Sequence, residues 1–505
     1  MNKKKLSKIE WVLLFVFVVL FFLTRVPRLS TDTINPDGVN WHYRSQQFIN
    51  GIKYRQLERT YQHYHPGVTL MWVTGVPVEI SKHIIGNKQY DHMNFLFFDF
   101  VAKYSLVYVQ IILSLFIIFL LSKVLDFKTG FFIVSLFTFE PFFVGNSRLY
   151  HLDALFTLLV FVALIYSYLL FKTEKYVYAI IAGLFWALAF LTKSVGIGGI
   201  PFVLAYGLLN AFLTKKWKKS LRFLGVCVLS FVFFTFLFFP ALWVHPAQYL
   251  GNIFSESERV GIRKGHGQII MGEYTRNGGI VFYPLVLLLK FTPFLLLGVF
   301  SFFWGLRKRK LDSFTIFLTI FYVGYLLAMM YPTKKIDRYM VLMFPYLAYL
   351  AFFGFKFLLD KFGNRFGYFL ISLFGVVFVV GPLFSFFPYY FTYTSPVFGS
   401  TENASNIITQ KPFGVGMYDL RNFIFERYGM FPTLGFVDTK PMNAIYPDSK
   451  VFDIRINGSR KFDIAVLGPN ESFPEDFVGH FKKDSSFYIN GLEYWRIYVK
   501  EVEKD

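Results

Sequence analysis

Eleven stretches of this 505-residue chain are apolar, nearly free of charge and close to the length of a bilayer crossing, and they constrain the fold more than any other feature. A spanning helix needs roughly 20 apolar residues, because each advances about 1.5 Å across a hydrocarbon core about 30 Å thick. The stretches lie near 11–23, 100–121, 130–145, 151–171, 177–192, 197–213, 223–243, 281–304, 314–331, 339–358 and 366–388. With 55% hydrophobic, 21% aromatic and only 17% charged residues, a disordered or coiled-coil chain is excluded and a soluble globule is strained. The first stretch follows Lys3, Lys4, Lys5 and Lys8, as a signal peptide would. It runs on into Thr24-Arg25-Val26-Pro27-Arg28 with no small-residue cleavage site, which predicts a retained anchor.

The net charge of +20, from 52 Lys and Arg against 32 Asp and Glu, would suggest nucleic acid in a soluble chain. In a membrane chain the same excess arises from cations held on the cytoplasmic side. With a cytoplasmic N-terminus, that side receives Lys123 and Lys128, Lys172 and Lys175, Lys215 to Lys219 with Arg222, Arg307 to Lys310, and Lys361 with Arg365. The opposite face receives 24–99, 244–280 and everything after about 389. The expected architecture is therefore an all-α polytopic membrane domain over 1–390, with a first outer loop at 24–99 and a second at 244–280. An extracytoplasmic domain follows at 391–505. In it, short runs (Phe413 to Met417, Phe462 to Leu467, Tyr488 to Val499) and a helix near Leu420 to Tyr428 alternate with turn residues, predicting a small α+β fold. The single cysteine, Cys227, lies in an apolar run and reads as a buried, inert thiol.

Ionisable groups at a membrane edge need a reason to persist. The first outer loop holds Asp37 within Asn35-Pro36-Asp37-Gly38, then Trp41, His42, Tyr43 and Arg44, and later Arg59, Tyr61, His63, Tyr64 and His65. A turn followed by an interfacial amphipathic helix accounts for the composition, but the density of His, Tyr and Arg favours a site. His63 and His65 share a face only in a strand and have no third ligand nearby, so no metal site is assigned. No cofactor is required, and a divalent cation held by carboxylates stays open. A second cluster contains Glu140-Pro141, Asn146, Ser147, Arg148, His151 and Asp153. Arg148 and Asp153 serve equally as interfacial anchor and helix cap or as a phosphate clamp and its partner. Lys193, Arg259, Arg263, Lys264, Lys334, Lys335 and Arg338 break the charge bias of the same face, which points to an anionic ligand. The loop 244–280, with His245, Glu256, Arg259, His266 and Tyr274, suits either a groove cover or a plain interfacial segment.

These residues resemble a known family. The run Glu140-Pro-Phe-Phe-Val-Gly-Asn-Ser147-Arg148-Leu-Tyr-His-Leu-Asp153 is similar to the Glu, Ser-Arg and Leu-Asp pattern of protein O-mannosyltransferases of the GT-C class. Tyr283-Pro284 with Lys290-Phe-Thr-Pro293, and Lys335-Ile-Asp-Arg338-Tyr339 with Pro345, resemble two further segments of that family. The likeness covers roughly 10–390 and extends to the related lipid A aminoarabinose transferases. Family members often place two acidic residues together in the first loop, whereas here Gly38 follows Asp37.

The resemblance implies transfer of a sugar from a polyprenyl-phosphate carrier to a hydroxyl of a protein, glycan or lipid at the outer face, with membrane lipids as surroundings and no nucleic acid. Asp37 would act as general base, Arg148 would meet the donor phosphate with Lys193 and Arg338, and Asp153, His65, Tyr64 and Arg59 would bind substrate. A lipid-linked sugar transporter or flippase is the rival, and it should show paired half-repeats and charges near the bilayer midplane. An inactive relative that binds the carrier is a third reading.

Overall fold

A computed structural model describes residues 6–501 except 87–89, 264–266, 309, 459–460 and 478. Lys3, Lys4, Lys5, Lys264, His266 and position 309 of the basic run therefore lie outside the described residues.

The anchor is helix α1 (Lys8–Arg25), opened by a capping box in which Ser7 and Glu10 satisfy one another's backbone N–H groups. Two helices of 18 and 17 residues follow, α2 (Pro36–Lys53) and α3 (Val68–Ile84), before the longer α4 (Phe95–Leu121). Next come α5 (Phe127–Thr138), α6 (Pro141–Ser147), α7 (Asp153–Thr173), α8 (Tyr176–Thr192), α9 (Gly199–Thr214) and α10 (Trp217–Phe238). The 244–280 loop folds into α11 (Pro246–Glu256) and a hairpin of β1 (Gln268–Ile270) and β2 (Glu273–Thr275). The membrane part ends with α12 (Phe282–Lys290), α13 (Pro293–Gly305), α14 (Ser313–Met330), α15 (Phe344–Phe362), α16 (Asn364–Gly375) and α17 (Gly381–Ser385).

Each of the eleven expected stretches falls on a helix or a bent helix pair, but fewer stand as straight spans. Among the described residues seven helices are long and apolar enough to cross a membrane, or nine if each bent pair counts as one span. The pairs bend by 75° between α5 and α6 and by 118° between α12 and α13. Pro141 and Pro293 open the second member of each pair, and a proline lacks the N–H that would continue the preceding helix. The remaining two are α8, with 17 residues, and α1, which carries Lys8, Glu10 and Arg25.

Helix α7 is apolar all round and is correspondingly the most enclosed span, 94% of its apolar window being buried. Helices α13 and α15 cross closely where Gly298 meets Gly354; a side chain at 354 would run into the Gly298 carbonyl. One end of the bundle gathers the basic turns. There Glu174 pairs with Lys216 at 3.0 Å and with Lys219, and Lys361 stacks on the Trp304 ring at 3.5 Å. At the other end α7 begins with Asp153 and α8 finishes at Lys193.

The C-terminal part contains α18 (Thr401–Ile407), α19 (Met417–Tyr428), β3 (Leu434–Phe436), α20 (Lys440–Asn443), β4 (Val451–Asp453), β5 (Ile464–Leu467), β6 (Phe481–Ile489) and β7 (Leu492–Lys500). Its sheet has the order β4-β3-β5-β7-β6, with β4, β3 and β5 parallel and β5, β7 and β6 antiparallel. The expected strand at Phe413 to Met417 is not one: two glycines with positive φ, Gly414 and Gly416, leave a single bridge from Val415 to Thr33. The expected run Tyr488 to Val499 is broken by the Asn490-Gly491 turn, which makes it the β6–β7 hairpin.

Candidate active site

Helix α2 starts at Pro36, whose fixed φ suits a first helical position, and this puts Asp37 in the first turn beside unpaired backbone N–H groups. The preceding segment is held from three sides. Lys103 on α4 donates to the carbonyls of Thr33 at 2.8 Å and Leu29 at 3.4 Å, and its ammonium lies 2.6 Å from Asp99. Arg148 donates to Asp32 Oδ2 at 2.8 Å and to the carbonyls of Thr24, Arg25 and Pro27 at 2.9–3.1 Å. The C-terminal part contributes a backbone ribbon, in which Ile34 N–H donates to Gly414 at 2.9 Å and Gly416 N–H to Asp32 at 2.7 Å.

Asp37 faces a cavity of about 1140 Å³ walled by the first loop, the 244–280 loop, the segment before α15 and the C-terminal part. Arg338 donates from Nη2 to Asp37 Oδ2 at 2.7 Å, and His151 Nε2 stands 3.3 Å from the same oxygen. Asp153, at the buried N-terminus of α7, accepts from Lys193 at 2.6 Å, the cation that ends α8. His151 Nδ1 and Arg338 Nε lie 3.0 and 3.4 Å from Asp153 Oδ2, at ion-pair distance but without hydrogen-bond geometry. The Lys193 ammonium also sits 4.1 Å from the Tyr339 ring centre, and the Arg338 guanidinium 4.5 Å from that of Phe413.

Protein surrounds Asp37, yet 39% of its side chain remains accessible, because it looks into the cavity. Burial would raise its pKa, but the charge of Arg338 and the hydrogen bond from His151 outweigh that and hold the carboxyl well below the usual range. Asp37 is therefore an ionised, ion-paired carboxylate. Burial pushes the His63 imidazole down to about 4, with Arg44 adding to the effect, and His65 lies well below its ordinary value for the same first reason, with Lys193 next. Both are neutral near pH 7 and act as hydrogen-bonding groups; His65 Nδ1 lies 2.9 Å from Ser194 Oγ.

Of the expected site residues, the structure brings Asp37, Lys193, Arg338, His65 and Tyr64 to the cavity wall and places Asp153 directly behind it. Arg148 and Arg59 do not join them. Arg148 is 1% exposed and spends its guanidinium on Asp32 and three carbonyls, so the expected phosphate contact is replaced by a structural one. Asp153 accordingly partners Lys193 and not Arg148. Arg59 is exposed in a short turn outside the cavity wall. The motif residues Glu140, Lys290 and Lys335 likewise act as clips. Glu140 accepts from Thr292 N–H and Oγ1 at 3.1 and 2.6 Å, Lys290 donates to the Tyr393 carbonyl at 3.0 Å, and Lys335 donates to three carbonyls around 330. Sequence reading missed Lys411, Asp438, Asn470 and Glu471, which reach the cavity from the C-terminal part. Among the described residues no group of three or more His, Cys, Asp or Glu is arranged to hold a metal ion.

A polytopic bundle with an ionic cavity at one end, roofed by a small α+β part, is a membrane fold of the GT-C type. The family described as dolichyl-phosphate-mannose-protein mannosyltransferase matches residues 97–239, a segment that contains Asp153 and Lys193 but neither Asp37 nor Arg338. The fold is similar to that of ArnT from Cupriavidus metallidurans bound to undecaprenyl phosphate, with 14% identity, 99% of each chain covered and a TM-score of 0.53. It is also similar to the same protein in its apo state, with 13% identity, 97% of each chain covered and a TM-score of 0.52. No curated protein matches the sequence. These likenesses show a shared polytopic membrane fold, and the family likeness is confined to residues 97–239.

Proposed function

We propose that the protein transfers a sugar from a polyprenyl-phosphate carrier to an acceptor hydroxyl on the outer face of the membrane. The observation that carries this reading is the Asp37–Arg338 pair, 2.7 Å apart, in a large cavity where the spans end. The acceptor oxygen attacks the anomeric carbon, the bond from that carbon to the phosphate oxygen breaks, and the acceptor proton passes to Asp37. The leaving polyprenyl phosphate gains charge, which Arg338 and Lys193 offset.

A carboxylate held as low as Asp37 is a weak base. The donor resolves this: its phosphate competes for Arg338, and the carboxylate that loses its guanidinium recovers basicity as the donor arrives. Asp153 positions Lys193 and His151, while Tyr64 and His65 offer neutral hydrogen-bonding groups to the sugar or the acceptor. The outer orientation is supported by the opposite end, where the basic turns around Lys172, Lys175, Lys215 to Lys219 and Lys361 collect.

The test is incubation of purified protein with radiolabelled polyprenyl-phosphate sugars, undecaprenyl carriers first, in the presence of membrane and protein fractions. Label leaving one donor for an acceptor fraction is the expected result. Carrier binding with no transfer from any donor would overturn the reading in favour of an inactive relative or a transporter.

The ribbon between Gly414 and Ile34 gives a mutational check away from the charged cluster. Gly414 has φ of 69°, and a Cβ there would strike the Ile34 carbonyl. Gly414→Ala should shift the segment that bears Asp37 and lower turnover by roughly 100-fold, as small misplacements of reacting groups do. Wild-type turnover in that variant would show that the ribbon does not position Asp37.

A further inference from the structure

Four charges at and just behind the cavity wall balance: Asp37 and Asp153 against Lys193 and Arg338. An incoming phosphate must therefore break a pair or find a further cation. Further cations line the cavity, among them Arg44, whose guanidinium lies 4.7 Å from the Trp41 ring centre, and Lys411, the more deeply placed of these two. The Nζ of Lys411 is buried and makes no hydrogen bond to the described residues. The other buried lysines near the site are engaged: Lys193 by Asp153, and Lys335 and Lys290 by carbonyls. Burying an ammonium without a partner is unfavourable, so a site that keeps one is built for an anion supplied from outside the chain.

The position of Lys411 is also fixed. Tyr494 on β7 donates to its carbonyl at 2.8 Å, and the neighbouring Gln410 side chain donates to the Thr392 carbonyl at 3.1 Å. Two residues on, Phe413 supports the Arg338 guanidinium, and one residue further Gly414 joins the Asp37 segment. One stretch, 411–416, thus places a buried cation at the cavity wall, supports the arginine and holds the loop of the base.

Resting on the reading of the site as a polyprenyl-phosphate sugar transferase, we infer that Lys411 binds the donor's phosphate together with Arg338, so that the C-terminal part completes the donor site. Burial moves the Lys411 ammonium down to about 8, with Asp337 opposing that shift and Arg338 and Lys334 adding to it. Its contribution to phosphate binding should be complete at pH 7 and fade as pH rises above about 8. The groups that face it are Asp337, Arg338 and Lys334, with Tyr494 on its backbone side.

The experiment measures binding of undecaprenyl phosphate and of undecaprenol to the full-length protein in detergent, for wild type, Lys411→Met and Lys411→Arg, at pH 7 and pH 9. Lys411→Met is expected to weaken undecaprenyl phosphate about 10-fold or more at pH 7, to leave undecaprenol unchanged and to melt no lower than wild type, because it removes an unpartnered charge. Lys411→Arg should recover much of the affinity, and wild type, unlike Lys411→Met, should lose affinity towards pH 9. Equal affinity in wild type and Lys411→Met, or an equal loss for undecaprenol, would overturn the inference and leave the transferase reading standing. A wild-type protein that binds neither lipid would overturn both.

Discussion

Asp37→Asn is expected to lower sugar transfer by about 10²- to 10⁴-fold while binding polyprenyl phosphate at least as tightly as wild type. The two effects have one origin. Asp37 is the acid partner of Arg338 at 2.7 Å, so in the resting protein it competes with the donor phosphate for that guanidinium. An amide at 37 keeps the shape of the carboxylate but carries no charge. Arg338 then meets the phosphate without a competitor, and the acceptor proton has no base to receive it. The check is parallel measurement of single-turnover transfer and of undecaprenyl phosphate affinity. Unchanged turnover would remove Asp37 as the base, and affinity lost along with turnover would show a structural role for the pair.

Arg148→Ala is expected to act on the fold and not on the donor. The guanidinium is buried, bound to Asp32 at 2.8 Å and to the carbonyls of Thr24, Arg25 and Pro27. Its removal leaves the Asp32 carboxylate buried; burial already raises that group's pKa, and Arg148 is the foremost charge opposing the rise. Breaking a buried pair from one side typically destabilises by about 3–5 kcal/mol. Arg148→Lys would not restore the forked geometry that reaches Asp32 and the three carbonyls together. Thermal unfolding in detergent should show a clear drop for Arg148→Ala, with the folded remainder binding undecaprenyl phosphate as wild type does. A stable variant with weakened donor affinity would return Arg148 to the phosphate.

These two residues illustrate what the sequence discloses. Asp37, Lys193 and Arg338 stand out in the sequence because they break a rule: charges at the end of a membrane bundle need a partner or a ligand. Arg148 breaks the same rule, but its partner, Asp32, lies far away in the chain and no spacing announces it. The motif residues Glu140, Thr292 and Lys290 were legible as a pattern, whereas their role as clips between α6, α12 and the segment at Tyr393 depends on three-dimensional contact. Lys411 was invisible, since a single lysine next to an expected strand carries no signal until the cavity exists. The apolar segments were readable one by one, but the bends at Pro141 and Pro293 separate a segment count from a span count. In the C-terminal part, β3 and β4 have three residues each, too few to show an alternation.

The most direct test of the account is a structure of the full-length protein with undecaprenyl phosphate bound. The phosphate is expected in the cavity, within about 3 Å of the Arg338 guanidinium, with Asp37 released from that arginine and facing open space where an acceptor hydroxyl fits. A phosphate bound elsewhere, with the Asp37–Arg338 pair intact, would contradict it.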